Sequence, residues 1–255
     1  MSLPLSVEDR LAVCTWSLQP ETPEALLAHL KAIGITKAQI ALDPLRENPA
    51  IWGRYGDLCR ESGISQVSGM MVTVGEDYST MEAIKETGGV VPDSTWPENL
   101  ANFKENILVA KDLGLKLITF HAGFLPHEPS DPAFAKLMNR IRQIGELFGE
   151  NEMDLGFETG QETAETLKDF LDQLALPNVG VNFDPANMIL YDKGDPIEAL
   201  KVLAPYLKQC HIKDATRTVE AGQWGEEVQS GTGQVDWKDF FATLNQLQYT
   251  GNFAI

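Results

Sequence analysis

Short apolar segments alternate with amphipathic helical segments along the whole chain, and this alternation constrains the fold more than any other feature. Strict alternation of this kind predicts a parallel sheet joined by right-handed helical crossovers. Eight strand-like segments within 255 residues predict an α/β fold, a (β/α)₈ TIM barrel, as a single domain over residues 1–255. The strand-like segments are 11–18, 37–44, 65–75, 115–124, 153–160, 178–187, 208–215 and 251–255, and the helical ones are 22–34, 48–63, 96–114, 131–151, 162–176, 195–207 and 235–249.

A doubly wound sheet is the alternative interpretation of this alternation. It is disfavoured because no GxGxxG turn follows the first strand-like segment. The eighth unit of the predicted barrel is incomplete, since the sequence stops at Ile255 within a strand-like segment and no closing helix follows. We therefore expect the native protein to continue beyond Ile255.

The charge balance narrows the range of partners. The formal net charge is −17, from 20 Lys and Arg against 37 Asp and Glu, and such a surface repels nucleic-acid backbones. No segment approaches the ~20 apolar residues of a membrane span, and the N-terminus does not resemble a signal peptide. The three cysteines are scattered, which is typical of buried thiols in a reducing compartment. We expect a cytoplasmic enzyme that acts on small molecules without nucleic acid or membrane partners, and a homo-oligomer is compatible with the sequence.

Two connections are longer than the others. Residues 76–95 follow the third strand-like segment, and residues 216–234 follow the seventh. Both lead from a strand to a helix, so both belong at the C-terminal face of the barrel, where such folds carry their active sites. Loops longer than about 12–15 residues are usually functional or mobile. Either connection is therefore expected to act as a lid, with Trp224 and Glu227 of the second one closing over the mouth.

Ionisable residues stand where three consecutive strand-like segments end. They are Glu158 in LGFETG, Asp184 in VNFDPAN and His211 in CHIKDA, and their spacings of 26 and 27 residues each match about one βα unit. Singly, each has an ordinary explanation: a loop glutamate, a turn aspartate before proline and a packed histidine. Two carboxylates and an imidazole that converge in a barrel mouth would be costly to desolvate without a cation. This mixed oxygen and nitrogen set predicts one divalent metal ion, Mn²⁺, Mg²⁺, Co²⁺ or Zn²⁺.

Four segments, F-E-T-G, V-N-F-D-P-A-N, H-I-K-D and G-T-G-Q-V-D-W, resemble the xylose isomerase-like superfamily of TIM barrels. More narrowly, they resemble its sugar phosphate isomerase/epimerase group, of the AP endonuclease 2 barrel type, and the resemblance covers essentially the whole chain. It implies a divalent metal ion held by Glu158, Asp184, His211 and a fourth glutamate, which would directly follow Ile255. It also implies isomerase or epimerase activity on a sugar, a sugar phosphate or a related polyol.

The chemistry implied by this resemblance is removal of a proton from the carbon next to a carbonyl. A metal ion bound to the substrate oxygens stabilises the enediolate that develops, and a carboxylate acts as the base. Glu158 is the candidate catalytic residue for that role. Hydride shift is the other route, and the sequence does not choose between the two.

Five further side chains are candidates for substrate binding. We expect a histidine and an asparagine to contact hydroxyl groups, two cations to bind a phosphate or carboxylate, and a tryptophan to stack on a sugar face. Each also has a purely structural explanation, such as a packed ring or a solvated charge. These candidates are His121, Asn187, Lys213, Arg217 and Trp16. Glu162 is instead expected to open a helix, where an acidic side chain suits the positive end.

Two other activities are known on barrels like this one. An apurinic endonuclease would need a three-zinc site with many histidines, but the chain has four histidines and carries Asn187 where a D-x-x-H motif requires histidine. An inosose-dehydratase-like lyase remains the alternative. Asn187 can donate a hydrogen bond to a hydroxyl but cannot shuttle a proton near pH 7. We therefore expect a substrate that differs from those of histidine-bearing epimerases.

Overall fold

The computed structural model describes residues 6–126, 128–220 and 222–255. Eight parallel strands close a barrel in which the last strand pairs with both the first and the seventh, and two further strands form a hairpin outside it. This architecture confirms the predicted TIM barrel. The strands are β1 (Leu11–Cys14), β2 (Lys37–Ala41), β3 (Ser65–Met70), β4 (Leu117–Phe120), β5 (Asp154–Glu158), β6 (Val179–Phe183), β7 (Leu207–His211), β8 (Asp214–Thr216), β9 (Glu226–Val228) and β10 (Phe253–Ala254).

Helices follow the barrel strands, as the alternation predicts. The first of them shows how local sequence sets their ends: Thr22 Oγ1 accepts a hydrogen bond from the Ala25 backbone N–H at 3.2 Å, and Gly34 ends the helix at φ 73°. The helices are α1 (Pro23–Ile33), α2 (Asp43–Glu47), α3 (Pro49–Trp52), α4 (Tyr55–Ser62), α5 (Met81–Thr87), α6 (Trp96–Asp112), α7 (Pro132–Glu150), α8 (Ala164–Leu174), α9 (Pro185–Leu190), α10 (Pro196–Leu203) and α11 (Trp237–Gln246).

Most of the predicted strands are too long at their C-terminal ends, and the first and the sixth show why. The first ends at Cys14, and Thr15–Leu18 form a 3₁₀ turn that carries Trp16. The sixth ends at Phe183, because α9 begins at once with a proline in its first position. At both places the chain leaves the sheet at the mouth of the barrel, so apolar residues that read as strand belong to turns and helices.

The predicted helix 48–63 is also wrong in detail. The chain forms two short helices there, α3 and α4, and α2 directly precedes them. Pro49 has no backbone N–H and cannot continue α2, so it starts a new helix at its own first position. Gly63 ends α4 in the left-handed conformation at φ 68°, as the sequence predicts.

The main core lies between the barrel and its surrounding helices. Edge-to-face aromatic contacts join α6 to the barrel through Phe103, Phe120 and Phe157, with ring centroids 5.4 and 5.6 Å apart. Each of these buried rings stabilises the fold by roughly 1.5–3 kcal/mol. This layer fixes the strands whose C-terminal ends carry the site. The three cysteines are buried and unpaired, as predicted. None of the described helices combines the length and apolar character needed to cross a lipid bilayer.

Both long connections contain secondary structure that the sequence did not predict. Residues 76–95 include α5, and residues 216–234 include β9, which pairs antiparallel with β8 in a register that sets Ala215 opposite Glu227. A second hydrophobic cluster links these connections with α9 above the barrel mouth. Its members are Ala186, Ile189, Leu190, Tyr191, Ala215 and Val235, with Met81, Phe124, Trp224 and Trp237 packed against them.

Candidate metal centre and active site

The structure brings together the three side chains that end consecutive strands. Glu158 is the last residue of β5, Asp184 directly follows β6, and His211 is the last residue of β7. One potential ligand atom of each residue lies within 4.8 Å of the others, and all three residues are buried. Parallel pairing of neighbouring strands places their carboxyl ends at one level, which accounts for this convergence.

Asp184 uses its two carboxylate oxygens differently. Oδ1 accepts backbone N–H bonds from Ala186 at 2.8 Å and Asn187 at 3.0 Å, and so caps α9. Oδ2 is fully buried and has no hydrogen-bond partner, although Lys213 Nζ lies 3.3 Å away. Capping of α9 uses Oδ1 and therefore leaves Oδ2 available to a cation.

The charge of Asp184 is favoured by its surroundings. Burial alone would raise the pKa of its carboxyl group, but the Lys213 ammonium, His211 and the capping N–H of Asn187 hold that pKa well below its usual range. The carboxylate is therefore ionised throughout the neutral range. A buried anion with one oxygen left without a hydrogen-bond partner is what a cation site requires.

His211 points one ring nitrogen at both carboxylates. Nδ1 lies 3.0 Å from Glu158 Oε1 and 3.7 Å from Asp184 Oδ2. Burial would lower the pKa of this imidazole, but the Glu158 and Asp184 carboxylates raise it well above its ordinary value. Two carboxylate oxygens and an imidazole nitrogen facing one point form a donor set that fits a divalent cation.

These residues line a cavity of about 660 Å³ at the mouth of the barrel. Four aromatic side chains, from four different connections, form much of its wall, and two of them, Tyr191 and Trp224, pack edge to face with centroids 4.8 Å apart. A concave site with aromatic walls and a few convergent polar groups is typical of a small-molecule pocket. The aromatic wall consists of Trp16, Tyr78, Tyr191 and Trp224.

Four of the five predicted substrate-binding residues line this cavity: Trp16, His121, Asn187 and Lys213. The ring of His121 lies 6.3 Å from that of Tyr78, and its buried Nδ1 has no hydrogen-bond partner. Arg217 does not belong to the cavity lining. Its guanidinium pairs with Asp192 and donates to the Gly194 carbonyl at 3.2 Å, on the outer side of the hairpin.

Lys213 connects the site to the hairpin. Its Nζ donates to Asn187 Oδ1 at 2.7 Å and lies 3.4 Å from Glu227 Oε2 on β9. Burial would lower the pKa of this ammonium, but Asp184, Glu158 and Glu227 raise it above its usual value. The side chain is therefore a fixed cation. Trp224 and Glu227, predicted from the long seventh connection, both lie at the cavity.

The sequence and the fold of this chain are similar to those of known proteins. A protein-family model described as xylose isomerase-like TIM barrel matches residues 27–255. The chain belongs to this family. The crystal structure of a xylose isomerase domain protein from Planctomyces limnophilus is similar, with a TM-score of 0.87 and 31% identity over 96% of this chain and 90% of that chain.

Two Escherichia coli proteins extend the comparison. The K12 protein YihM, described as uncharacterized, is 28% identical over 151 residues, or 58% of this chain and 46% of YihM, so the match spans about half of that protein. The 3-keto-D-glucoside 4-epimerase YcjR shares the fold with a TM-score of 0.72 and 15% identity, covering 96% of this chain and 90% of that chain.

Asp214 explains why the H-I-K-D and G-T-G-Q-V-D-W segments of this xylose isomerase-like barrel occur together. Its carboxylate accepts five N–H bonds of 2.9–3.1 Å, and the Cβ that any other residue would add at Gly233 would lie 2.2 Å from Asp214 Oδ1. Burial raises the pKa of Asp214, but these donors outweigh it and hold that pKa below its usual range. H-I-K-D and G-T-G-Q-V-D-W thus form one structural unit behind His211. The donors are the backbone of Ala215, Gly231, Gly233 and Val235 and the indole of Trp237.

The prediction for Glu162 is wrong. Helix α8 begins at Ala164 with Thr163 as its N-cap and Glu165 in its first turn, so Glu162 precedes the helix and does not open it. Its buried carboxyl group accepts the Leu125 backbone N–H at 2.6 Å. Burial raises the pKa of Glu162 to about 8, with the Leu125 N–H and Lys193 acting against that rise. Glu162 therefore joins the connections after β4 and β5.

Sequence reasoning also missed two aromatic residues of the cavity. Tyr78 lies in the connection before α5, and Tyr191 directly follows α9. Tyr78 donates a hydrogen bond to Glu76 Oε2 at 3.3 Å. Neither residue belongs to a strand end, so strand periodicity gave no signal for it. Only their place in connections at the C-terminal face of the barrel could have suggested a role.

Replacing Asp214 by asparagine tests the motif. Asp214→Asn should lower the free energy of unfolding by about 2–4 kcal/mol, because an amide group would place N–H donors against N–H donors. The measurement is chemical denaturation of both proteins. Asp195→Asn is the matched control, since that exposed N-cap aspartate accepts only two backbone N–H bonds and should cost no more than about 1 kcal/mol. Equal effects of the two substitutions would contradict a special role for Asp214.

Glu162 should make stability depend on pH with a definite sign. Its pKa is about 8 in the folded chain against 4.5 ordinarily, so between these values the folded protein keeps a proton that the unfolded chain has released. The contribution of Glu162 is complete below about pH 4.5 and is lost as the pH rises towards 8. Relative to wild type, Glu162→Gln should gain on the order of 3 kcal/mol between pH 5 and pH 8.

This gain is measured by denaturation at several pH values. Glu165→Gln, which removes an exposed carboxylate from the first turn of α8, the helix that follows Glu162, serves as the control and should follow the wild-type pH dependence. A Glu162→Gln curve parallel to that of the wild type would show that Glu162 is ionised in the folded protein.

Proposed function

We propose that this protein is a divalent-metal-dependent isomerase or epimerase of a sugar or related polyol. The observation that carries the proposal is the buried convergence of Glu158, Asp184 and His211, with Asp184 Oδ2 left without a hydrogen-bond partner. The family membership supports the proposal, and the similar fold of an epimerase such as YcjR is consistent with it. The unpaired, buried cysteines support a reducing compartment such as the cytoplasm.

Glu158, Asp184 and His211 would hold the metal ion, and their oxygen and nitrogen donors suit Mn²⁺, Mg²⁺, Co²⁺ or Zn²⁺. When bound, the ion supplies positive charge that stabilises negative charge on the substrate oxygens. A fourth ligand directly after Ile255 stays a prediction. β10 pairs with β7 so that Ala254 lies opposite His211, and Ile255 lines the cavity, which makes that position suitable for a ligand.

Glu158 is the proposed base that removes a proton from the carbon next to the carbonyl. Its Oε2 accepts a hydrogen bond from Asn182 at 2.9 Å, and its Oε1 faces the cavity beside His211 and Asn187. A carboxylate fixed by hydrogen bonds in a concave site is suited to general base catalysis. Lys213 and Asn187 would orient substrate hydroxyl groups near this base.

The charges of the cavity favour an unphosphorylated substrate. Lys213 is the one lysine or arginine among the described residues that line the cavity, and it is already held by Asp184, Asn187 and Glu227. A phosphate group would have to displace carboxylates from that cation. Trp16, which is 38% exposed and has its ring 6.3 Å from that of His211, offers a surface on which a sugar ring can stack.

An inosose-dehydratase-like lyase is the second candidate, and the position of Lys213 favours it. This ammonium lies 3.3 Å from Asp184 Oδ2 in the same cavity, where it could stabilise the negative charge on a leaving hydroxyl group by donating a hydrogen bond. An apurinic endonuclease is disfavoured by Asn187 and by the net charge of −17. A lyase would release water and form a double bond, whereas an epimerase would exchange the carbon-bound proton with solvent and keep the substrate formula.

Metal analysis of the full-length protein with a Glu158→Gln variant tests the proposal. Wild type should bind about one divalent ion and catalyse deuterium exchange from solvent into an unphosphorylated ketose, followed by NMR. Glu158→Gln should bind the ion more weakly and lose about 10²–10⁴-fold in kcat, because the base is removed. Glu162→Gln, a nearby buried glutamate outside the ligand set, is the matched control and should retain the metal.

Wild-type protein without a bound divalent ion, or unchanged metal content in Glu158→Gln, would sink the ligand assignment. Loss of water from the substrate without deuterium exchange in recovered material would establish the lyase instead.

A further inference from the structure

A layer of polar side chains crosses the barrel interior directly beneath the three candidate ligands. Its hydrogen bonds join β3 to β7 and β2 to β7, strands that are not neighbours, so these side chains point into the barrel. The interiors of such barrels are usually filled by branched apolar residues. All five members are at most 1% exposed: Gln39, Ser68, Thr119, Asn182 and Gln209.

The first chain of hydrogen bonds ends on His211. Thr119 Oγ1 donates to the Gly69 carbonyl at 3.4 Å, and the same oxygen accepts a hydrogen bond from Gln39 Nε2 at 2.8 Å. This anchor orients the Gln39 amide so that its Oε1 lies 2.8 Å from His211 Nε2. An acceptor there holds a proton on Nε2, so the proton that His211 gives up to bind a cation is the one on Nδ1, which faces Glu158 and Asp184.

The second chain of hydrogen bonds ends on Glu158. Ser68 Oγ donates to Gln209 Oε1 at 2.7 Å, and Gln209 Nε2 donates to Asn182 Oδ1 at 3.3 Å. The Asn182 amide nitrogen then faces the site and donates to Glu158 Oε2 at 2.9 Å. The Ser68 hydroxyl group thus sets the orientation of the Gln209 amide, which in turn sets the orientation of the Asn182 amide.

The two series of hydrogen bonds favour different tautomers of His211. Asn182 Nδ2 lies 2.9 Å from His211 Nε2, where its N–H would favour an unprotonated Nε2 and a proton on Nδ1. A proton on Nδ1 would block metal binding at that nitrogen. The Gln39 carbonyl oxygen, 2.8 Å from Nε2, opposes this tautomer. Gln39 is therefore the residue that decides which ring nitrogen keeps its proton when the imidazole is neutral.

We propose that Gln39, anchored by Thr119, is a positioning residue that keeps the Nδ1 lone pair of His211 available to a divalent cation, while Asn182 fixes Glu158. This inference rests on the proposed metal-binding function. Outer residues that hold a metal-ligating histidine commonly contribute 10–100-fold to metal affinity. The arrangement accounts for amide groups in a position where apolar packing would otherwise suffice.

Three variants of the full-length protein test the role of Gln39, with Co²⁺ titrated by calorimetry and by its visible absorption. Gln39→Met keeps the length of the side chain but removes the acceptor, and should weaken Co²⁺ binding about 10–100-fold. Thr119→Val removes the anchor, frees the amide to turn, and should also weaken binding. Gln39→Glu should retain Co²⁺ affinity, because either carboxylate oxygen can accept the Nε2 proton.

Combining the substitutions separates positioning from packing. Thr119→Val should weaken Co²⁺ binding in the wild-type background but not together with Gln39→Glu, since a carboxylate needs no anchor to present an acceptor. Asn106→Leu is the control: that fully buried amide donates to Asp43 outside the barrel interior, so it should lower stability without changing Co²⁺ affinity. Thermal unfolding of each metal-free variant reports stability separately, and the nearly isosteric Thr119→Val remains informative if Gln39→Met does not fold.

The outcomes distinguish the inference from the function on which it rests. If wild type binds no divalent ion, the proposed function fails and the inference with it. If wild type binds Co²⁺ and Gln39→Met binds it equally well, the inference alone is overturned. Equal weakening by Thr119→Val in both backgrounds would likewise show that packing, and not the direction of the Gln39 amide, controls the site.

Discussion

The buried carboxylate of Asp184 is the constraint on which the rest of the site depends. One oxygen caps α9 and so fixes how the chain leaves β6, while the other remains without a hydrogen-bond partner between Lys213 and His211. A buried, ionised oxygen without a hydrogen bond is unfavourable unless cations surround it. Lys213 and His211 meet part of that demand. The proposed metal ion would meet the remainder.

Two structural units hold this charge cluster from opposite sides. Below it, the polar layer inside the barrel connects Gln39 to His211 and Asn182 to Glu158. Beyond β7, the carboxylate of Asp214, three residues after His211, accepts hydrogen bonds from the backbone N–H groups of the glycine-rich loop that leads to α11. The Asp214 unit also reaches the cavity wall, since Ala215, Val235 and Trp237 belong to the same hydrophobic cluster as Tyr191 and Trp224.

The sequence predicted the parts of the site that follow from strand periodicity. Glu158, Asp184 and His211 interrupt apolar segments one βα unit apart, and parallel pairing brings such positions to one level. Glu162 was placed wrongly because its carboxyl group interacts with the distant Leu125, and no local signal distinguishes it from a helix-opening acid. From the sequence, Arg217 is predicted to bind an anionic group of the substrate, but in the structure its guanidinium pairs with Asp192. Gln39 and Thr119 lie 80 residues apart, so their hydrogen bond could not be predicted locally.

By itself, the sequence determined the barrel and the three ligand candidates, because both depend on short-range periodicity and on the regular spacing of βα units. The tertiary structure decided what each polar group does. It engaged one oxygen of Asp184 in a helix cap and left the other without a hydrogen-bond partner, made Asp214 a structural acceptor, and placed Gln39 within hydrogen-bond distance of His211. These roles depend on burial and on which donors and acceptors meet across the barrel, and such contacts exist only once distant strands have closed it.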